Sequence, residues 1–282
     1  MHKKIRIFSP LYAALLLGFL YLPMAVLLLF SFNSSNNLFE FKGFSLHWYA
    51  ELLRNKAAQT ALWHTIVLAL SAATASVVIG TIAAVGMDRM RRKWLKSATL
   101  SVTNLPMMNP EIVTGISMML LFVFAAQAFN TKGLFGLEPL GFHTMFLAHT
   151  TFCLPYVVLS VSPKLRQIDP HMVEAAQDLG CSPLRAFLRV MLPNIATGIA
   201  SAFLLALTIS LDDFVVSNFV SHSYQTLPIY IYSQTKKRVR PDMYALSTLI
   251  FAAIFLLLIL SNVLQASAEK RRMPDKKQRE KQ

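Results

Sequence analysis

The chain has 282 residues, of which 55% are hydrophobic and 15% are charged, and its formal net charge is +13. Ordinary soluble domains carry about 25% charged residues, so this composition argues against a soluble globular protein. A positive charge of this size could indicate nucleic-acid binding. The basic residues lie in clusters between long apolar runs, however, which indicates a membrane protein that binds no nucleic acid.

Six runs are apolar over roughly 18 residues or more, the length at which a helix can cross a bilayer. They lie at about Pro10–Phe32, Leu62–Met87, Ala98–Gln127, Thr144–Val161, Ile195–Val220 and Tyr244–Gln265. The first run contains no charge and is not followed by a small-residue cleavage site, so it is predicted to be an uncleaved span. The pattern predicts an all-α membrane protein with six spans.

The basic residues predict the orientation of these spans. They form three clusters, which precede the first run, separate the second from the third and follow the sixth: Lys3, Lys4 and Arg6, then Arg89, Arg91, Arg92, Lys93 and Lys96, then the tail from Lys270 to Lys281. With six spans all three clusters share one side, so the positive-inside rule puts both termini in the cytoplasm. Residues 1–8 would form the cytoplasmic N-terminus, residues 9–266 the transmembrane domain and residues 267–282 a basic cytoplasmic tail.

One outer loop departs from the positive-inside rule. It lies between the fifth and sixth runs and carries Lys236, Lys237, Arg238 and Arg240. Placing this loop inside would strand the strongly basic tail outside, so the six-span arrangement is kept.

Two spans have unusual composition. The second carries small residues at intervals of four, which form a smooth face for close helix packing or for a moving interface: Ala72, Ser76, Gly80 and Ala84. The third is interrupted by Asn104, Pro106, Asn109 and Pro110. Proline breaks the helical hydrogen-bond pattern, and a broken helix is tolerated in a membrane where it lines protein or a wet cavity.

A polar insert at about 163–194 separates the fourth and fifth spans and must lie in water. Asp169 and Pro170 predict the start of a helix, and Gly180 predicts its end near Leu179 through a left-handed turn. Ser182-Pro183 repeats the start signal, and Pro193 is expected to end the element.

Each short helix of the insert carries an apolar stripe. The first stripe consists of Met172, Val173, Ala176 and Leu179, and the second of Leu184, Phe187, Leu188 and Met191. Such a stripe on a polar helix needs a partner. The partner is either the protein's own bundle, which is the expectation for the second helix, or a cleft in another protein, which suits the first.

The insert resembles the EAA loop of permeases from importers of the ATP-binding-cassette (ABC) class. The matching residues are Glu174, Ala175 and Ala176, then Gly180, then Leu192 and Pro193, with Val190 where the pattern favours isoleucine. Over nearly the whole chain, further stretches resemble the spermidine/putrescine permeases of the C type: Ser31-Phe-Asn-Ser-Ser35, Trp48-Tyr49, His149-Thr-Thr-Phe-Cys-Leu-Pro155, Ser210-Leu-Asp-Asp213, Leu227-Pro228 and Ile231-Tyr-Ser233.

This resemblance implies a fold, a function and a set of partners. The fold would be the six-span ABC-importer permease bundle, with the insert as a cytoplasmic coupling helix that docks on an ATPase. The chain would move a polyamine across the inner membrane together with a second, homologous permease subunit, an ATPase dimer and an extracytoplasmic solute-binding protein. No Gly-x-x-x-x-Gly-Lys-Ser/Thr segment occurs, so ATP and Mg²⁺ are expected on the partner ATPase and no cofactor is expected in this chain.

Three acids fall within the predicted spans: Glu111, Asp212 and Asp213. A carboxylate at the bilayer centre costs about 2.5–3.5 kcal/mol on insertion scales, so such groups face a cavity or a partner. The spans contain no obvious buried lysine or arginine to neutralise them, which predicts that they line the path of a cationic solute. The alternative is that one of the adjacent aspartates caps a helix break or bonds across the bundle.

Aromatic and histidine side chains near the spans allow more than one role. Trp48 could stack on a cation in the substrate path, or it could anchor the chain at the membrane interface. His64, His143 and His149 lack metal-ligand spacing, so they are predicted to be packing or interface residues, and no metal site is expected.

Other functions remain open from the sequence. The chain could be an ABC permease for another small organic solute, or a proton-coupled secondary transporter that uses Glu111 or Asp212. An intramembrane enzyme is a third class, but no Gly-x-Ser-x-Gly or His-Glu-x-x-His segment occurs, so the chain is expected not to be an enzyme.

Overall fold

The computed structural model describes residues 2–35, 40–128, 140–237 and 241–272. These residues form helices α1 to α12, at His2–Ser31, His47–Leu52, Lys56–Asp88, Lys93–Met108, Glu111–Ala128, Phe142–Leu165, Pro170–Asp178, Pro183–Ala186, Leu192–Asp212, Val215–Val220, Leu227–Lys237 and Pro241–Arg272. A π-helical turn at Phe187–Met191 joins α8 to α9. Arg238 and Arg240 of the basic loop that is predicted to lie outside, and residues 273–282 of the tail, fall beyond the described residues.

Within the described part of the chain, six helical segments are long and apolar enough to cross a membrane. They are Tyr12–Ser31, Lys56–Asp88, Glu111–Ala128, Phe142–Leu165, Pro183–Asp212 and Pro241–Leu260. The all-α fold with six spans is therefore confirmed. Many large apolar side chains on these helices remain exposed, such as Phe19 at 78% and Phe124 at 68%, as expected for surfaces that face lipid or another membrane subunit.

The third and fifth predicted spans are each two helices. The third divides into α4 and α5 at Asn109 and Pro110, because a residue before proline is driven out of the helical region and Asn109 adopts ψ 143°. Pro106 lies inside α4, so only the second proline breaks the chain. The fifth span begins at Pro183, well before the predicted Ile195, and the helix stops at Asp212. Asp213 is extended, and α10 continues from Val215.

The chain divides into two compact units, the first formed by Met1–Thr60 and Tyr230–Ile254 and the second by Ala61–Ile229 and Phe255–Gln282. In the first unit, Asn33 organises the loop after α1. Its Oδ1 accepts hydrogen bonds from the backbone N–H groups of Ser35 and Lys42, at 3.2 and 3.0 Å, and its Nδ2 donates to the carbonyl of Glu40 at 2.7 Å. One side chain thereby pairs three backbone groups of this segment.

The second unit has a core made by α3, α6 and α9. The small-residue face of α3 lies in this core, where Ala72 and Ser76 are 0% exposed and Ala84 is 1% exposed. Ser76 Oγ also donates to the Thr150 carbonyl of α6 at 3.0 Å. A Cβ added at Gly80 would lie 2.7 Å from Val157 Cγ1, so α3 and α6 approach as closely as glycine permits. The face therefore packs α3 against α6.

This close approach predicts a stability effect. Gly80→Ala must displace Val157, whose Cβ would lie 2.9 Å from the new atom, and such overpacking costs about 1–3 kcal/mol. The melting temperature of the purified protein in detergent should fall. Gly86→Ala is the matched control, because it lies in the same helix with nothing within 4 Å, and there alanine should stabilise the helix by up to about 1 kcal/mol. Equal melting temperatures for the two variants would show that the helices accommodate the added methyl group at position 80 without strain.

Candidate functional site

The insert between α6 and α9 has the predicted helix signals. Asp169 Oδ1 accepts the N–H of His171 at 3.0 Å, and Pro170 is the first residue of α7. The helix ends at Asp178, and Gly180 has a φ of +86°, in the left-handed region that favours glycine. Ser182 Oγ then accepts the N–H of Arg185 at 3.4 Å to start α8. The predicted start and stop of the first helix and the start of the second are confirmed.

Leu192 and Pro193 behave differently from the prediction. The expectation that Pro193 ends the helical element is wrong, because α8, the π turn and α9 form one continuous segment from Pro183 to Asp212. Proline has no backbone N–H to donate to the carbonyl one turn earlier, so the regular helical hydrogen bonding is interrupted at Pro193. The π-helical turn just before Pro193 uses hydrogen bonds to the fifth preceding residue, as when the N–H of Leu192 donates to the carbonyl of Phe187. Asn194 Nδ2 also donates to the carbonyl of Val190 at 2.8 Å.

The two apolar stripes of the insert are each divided between core and solvent. Val173 and Phe187 pack against the core of the second unit, and Met191 is 9% exposed. The remaining large apolar side chains are exposed: Met172 at 46%, Leu179 at 87%, Leu184 at 67% and Leu188 at 49%. Glu174 is also exposed, with Oε2 3.3 Å from His171 Nδ1. We call these four apolar residues and Glu174 the loop surface; it is apolar except for one acid, and the residues that the structure describes leave it exposed.

Two of the predicted path acids come together at helix breaks. Glu111 is the first residue of α5, directly after the break at Pro110, and Asp212 is the last residue of α9, directly before the break at Asp213. Both side chains are exposed. Glu111 lies within electrostatic range of Asp212 and also of the Tyr156 hydroxyl on α6. We call Glu111, Asp212 and Tyr156 the acidic cluster.

The environment of Asp212 is strongly negative. The charged side chains that act on it from the described residues are both carboxylates, those of Asp213 and Glu111. The last carbonyl groups of α9 have no intrahelical donors, and a helix C-terminus carries about half a negative charge. Glu111 is placed the other way, as the first residue of α5. A positive charge would be attracted to this position, because the groups that act on Asp212 are negative.

Asp213, the neighbour of Asp212, has a different environment. It is 8% exposed, and its carboxylate accepts the N–H groups of Val216 at 3.3 Å and Ser217 at 2.8 Å. Its Oδ2 also lies 3.4 Å from His149 Nε2. Asp213 therefore caps α10 and bonds across the bundle, which is the alternative that the sequence left open for one of the two aspartates.

His149 is the residue that sequence reasoning missed. The sequence predicted no lysine or arginine partner for the acids, whereas the group beside Asp213 is an imidazole. The signal was present, because an ionisable residue in an apolar span usually pairs with another one. The described residues contain no group of three or more His, Cys, Asp or Glu that could hold a metal ion.

Trp48 lies in the first unit and is 5% exposed. Its Nε1 donates to the carbonyl of Asn33 at 2.6 Å, and its ring centroid lies 5.1 Å from that of His47. Because the chain itself covers the ring, Trp48 stabilises the loop after α1, and we leave it out of the solute path proposed below.

Comparison with known proteins places this architecture in a family. Residues 76–273 match the family described as the inner membrane component of binding-protein-dependent transport systems. The chain is 41% identical over 264 residues to the putrescine transport system permease protein PotI of Escherichia coli K12, covering 93% of this chain and 92% of that protein. It is 36% identical over 248 residues to the spermidine/putrescine transport system permease protein PotC of Haemophilus influenzae, covering 88% and 92%.

A solved structure has the same fold. One chain of a bacterial ABC transporter involved in the import of alginate superposes with a TM-score of 0.69 at 18% identity, over 97% of this chain and 99% of that chain. The six spans and the insert between α6 and α9 are consistent with these matches. The chain belongs to the family of inner membrane components of binding-protein-dependent transport systems.

Proposed function

We propose that this chain is the permease subunit of an ABC importer that carries a polyamine, such as putrescine or spermidine, across the inner membrane. The convergence of Glu111 and Asp212 at two helix breaks supports the assignment of a cationic solute. The two relatives named above are described as permeases for putrescine and for spermidine/putrescine. The acidic cluster would bind the solute, and a separate ATPase would bind ATP and Mg²⁺.

The chemistry of the acidic cluster suits an elongated cation with more than one ammonium group. At an effective dielectric constant of ~20, a carboxylate 4 Å from an ammonium gains about 4 kcal/mol, and desolvation offsets much of that gain. One acid thus holds one ammonium weakly, and Glu111 together with Asp212 holds two. Weak binding at several points allows the solute to leave, which a transport path requires.

The same continuous helix connects the solute site with the loop surface. From Leu192 to Asp212, α9 spans 21 residues, or about 30 Å at 1.5 Å per residue. In our proposal the insert at about 163–194 is cytoplasmic, and Glu174, Ala175 and Ala176 dock on the ATPase, with Gly180 ending the docking helix. Leu192 and Pro193 join the insert to α9, so a movement of the docked helix would reach Asp212.

The proposed assembly contains further subunits. The exposed apolar faces of the spans suit lipid and a second, homologous permease, and both termini would lie in the cytoplasm beside an ATPase dimer. A similar fold has been solved as an alginate ABC transporter in complex with a solute-bound periplasmic protein. On that basis we propose that an extracytoplasmic binding protein delivers the polyamine, and that this chain itself catalyses no reaction.

Reconstitution in proteoliposomes tests this proposal. The complete complex should accumulate labelled putrescine or spermidine only when ATP and the binding protein are supplied, and a neutral diol of similar length should not compete. This chain reconstituted alone should show no flux. Uptake by the chain alone that follows an imposed proton gradient would instead indicate the secondary-transporter class. ATP-driven uptake of a different solute, with no competition by polyamines, would indicate another ABC substrate.

A further inference from the structure

His149 lies at the centre of a buried polar cluster in the second unit. It is 0% exposed, with Nδ1 2.7 Å from Ser210 Oγ and Nε2 2.9 Å from Ser217 Oγ. Ser210 belongs to the last turn of α9, before the break, and Ser217 belongs to α10, after it. The two nitrogens of one ring therefore contact the two helices on either side of the break.

The break itself is held through the same ring. Asp213 accepts two N–H groups of α10 and lies 3.4 Å from His149 Nε2, so the residue that caps α10 is also attached to α6. A second contact from α6 reaches the other end of α10, where Thr144 Oγ1 donates to the carbonyl of Val220 at 3.1 Å. The start of α10 thus depends on His149, while its end has an independent attachment.

We propose that His149 is a positioning residue for the solute site, because its bonds to both sides of the break set where the Asp212 carboxylate stands relative to Glu111. The proposal rests on the function proposed above, in which Asp212 binds the solute. A broken helix lacks the regular hydrogen bonds that keep two segments aligned. Asp212 is the last helical residue before the break, so its direction follows the end of α9 that Ser210 and His149 hold.

Single hydroxyl deletions test this with little risk to folding. Ser210→Ala and Ser217→Ala each remove one contact of the His149 ring and change no charge. In the reconstituted complex, each should raise the half-saturation concentration for putrescine uptake by about threefold to tenfold, the effect of one hydrogen bond, with the maximal rate and the unstimulated ATPase rate unchanged. Ser201→Ala is the matched control, since its Oγ donates to the Thr197 carbonyl within α9 at 2.9 Å.

Substitutions of His149 itself separate the two sides of the break. An asparagine places a polar atom near the position of Nδ1, and a glutamine places one near that of Nε2. His149→Asn removes the contacts of Nε2 with Ser217 and Asp213 and should therefore have at least the effect of Ser217→Ala, whereas His149→Gln removes the contact of Nδ1 with Ser210 and should resemble Ser210→Ala. His149→Phe replaces the imidazole with an aromatic ring that has no nitrogen, and it should give the largest rise in half-saturation concentration among complexes that assemble.

Combination with Asp212→Asn separates this inference from the proposed function. If His149 acts through Asp212, Ser217→Ala should add little to the defect of Asp212→Asn. Fully additive effects would overturn the positioning role. The role would also be overturned if Asp212→Asn alone weakened uptake while Ser210→Ala and Ser217→Ala, each made alone, behaved like Ser201→Ala. An Asp212→Asn complex with normal half-saturation would instead contradict the proposed solute site, on which the positioning role depends.

Discussion

Asp212→Asn is expected to raise the half-saturation concentration for polyamine uptake by about tenfold to a hundredfold, since a hydrogen bond to a charged group contributes about 1.5–3 kcal/mol. The asparagine keeps the size of the side chain and removes the negative charge. Glu111→Gln should have a similar effect, and the double variant should lose most uptake because both ammonium groups of the solute lose their partner. Labelled putrescine uptake in proteoliposomes measures the effect.

The control for these variants is an acid outside the acidic cluster. Asp88 lies at the end of α3, where its Oδ1 is 3.2 Å from Lys96 Nζ at the surface. Exposed ion pairs contribute about 0–1 kcal/mol to stability. Asp88→Asn should therefore leave the fold, and with it the uptake, nearly unchanged. Normal uptake by the Glu111→Gln, Asp212→Asn double variant, in a complex that still assembles, would show that these acids do not line the path.

Glu174→Lys is expected to abolish ATP-driven uptake. The side chain is exposed and its Oε2 lies 3.3 Å from Nδ1 of His171, which is also exposed, so the substitution should not unfold the permease. It reverses the charge of the acid on the loop surface. A docking site that suits an acid would then face a like charge, and like charges opposed across an interface cost several kcal/mol. Co-purification of the ATPase and solute-stimulated ATP hydrolysis should both fall strongly, whereas the melting temperature of the permease alone should not change.

Two further variants sharpen this result. Leu179→Ser, at an apolar position that is 87% exposed, should weaken ATPase association without the charge reversal. Glu40→Lys reverses an exposed acid in the segment after α1, which is predicted to face outward, and it should retain coupling; its present partner is Lys42 at 3.4 Å. Full ATPase association and uptake in Glu174→Lys would contradict the assignment of the loop surface as the coupling site.

Local features of the fold could be predicted because local interactions cause them. Hydropathy over roughly 18 residues marks a span whatever its neighbours are. Asp169 and Gly180 define the ends of α7 through bonds and backbone angles within a few residues. Pro193 was misread because the cost of a proline in a helix depends on the turn before it, and here that turn is π-helical.

The candidate site was predictable only in part. Glu111 and Asp212 could be singled out because an acid in an apolar span is costly wherever it lies. Their proximity could not be predicted, since 63 residues of chain separate α5 from α9 and hydropathy says nothing of which helices are neighbours. For the same reason the sequence left two roles open for Trp48, which the structure places against its own loop.

The amino-acid sequence by itself determined the class of protein, the number of spans and the polar insert between the fourth and fifth of them, because these follow from the free energy of placing each segment in lipid or water. The tertiary structure alone decided how two adjacent aspartates divide their roles. Asp213 faces His149 and caps α10, while Asp212 is exposed beside Glu111. Successive residues at a helix break point in different directions, and the packing of α6 against α9 and α10 selects which of them is buried.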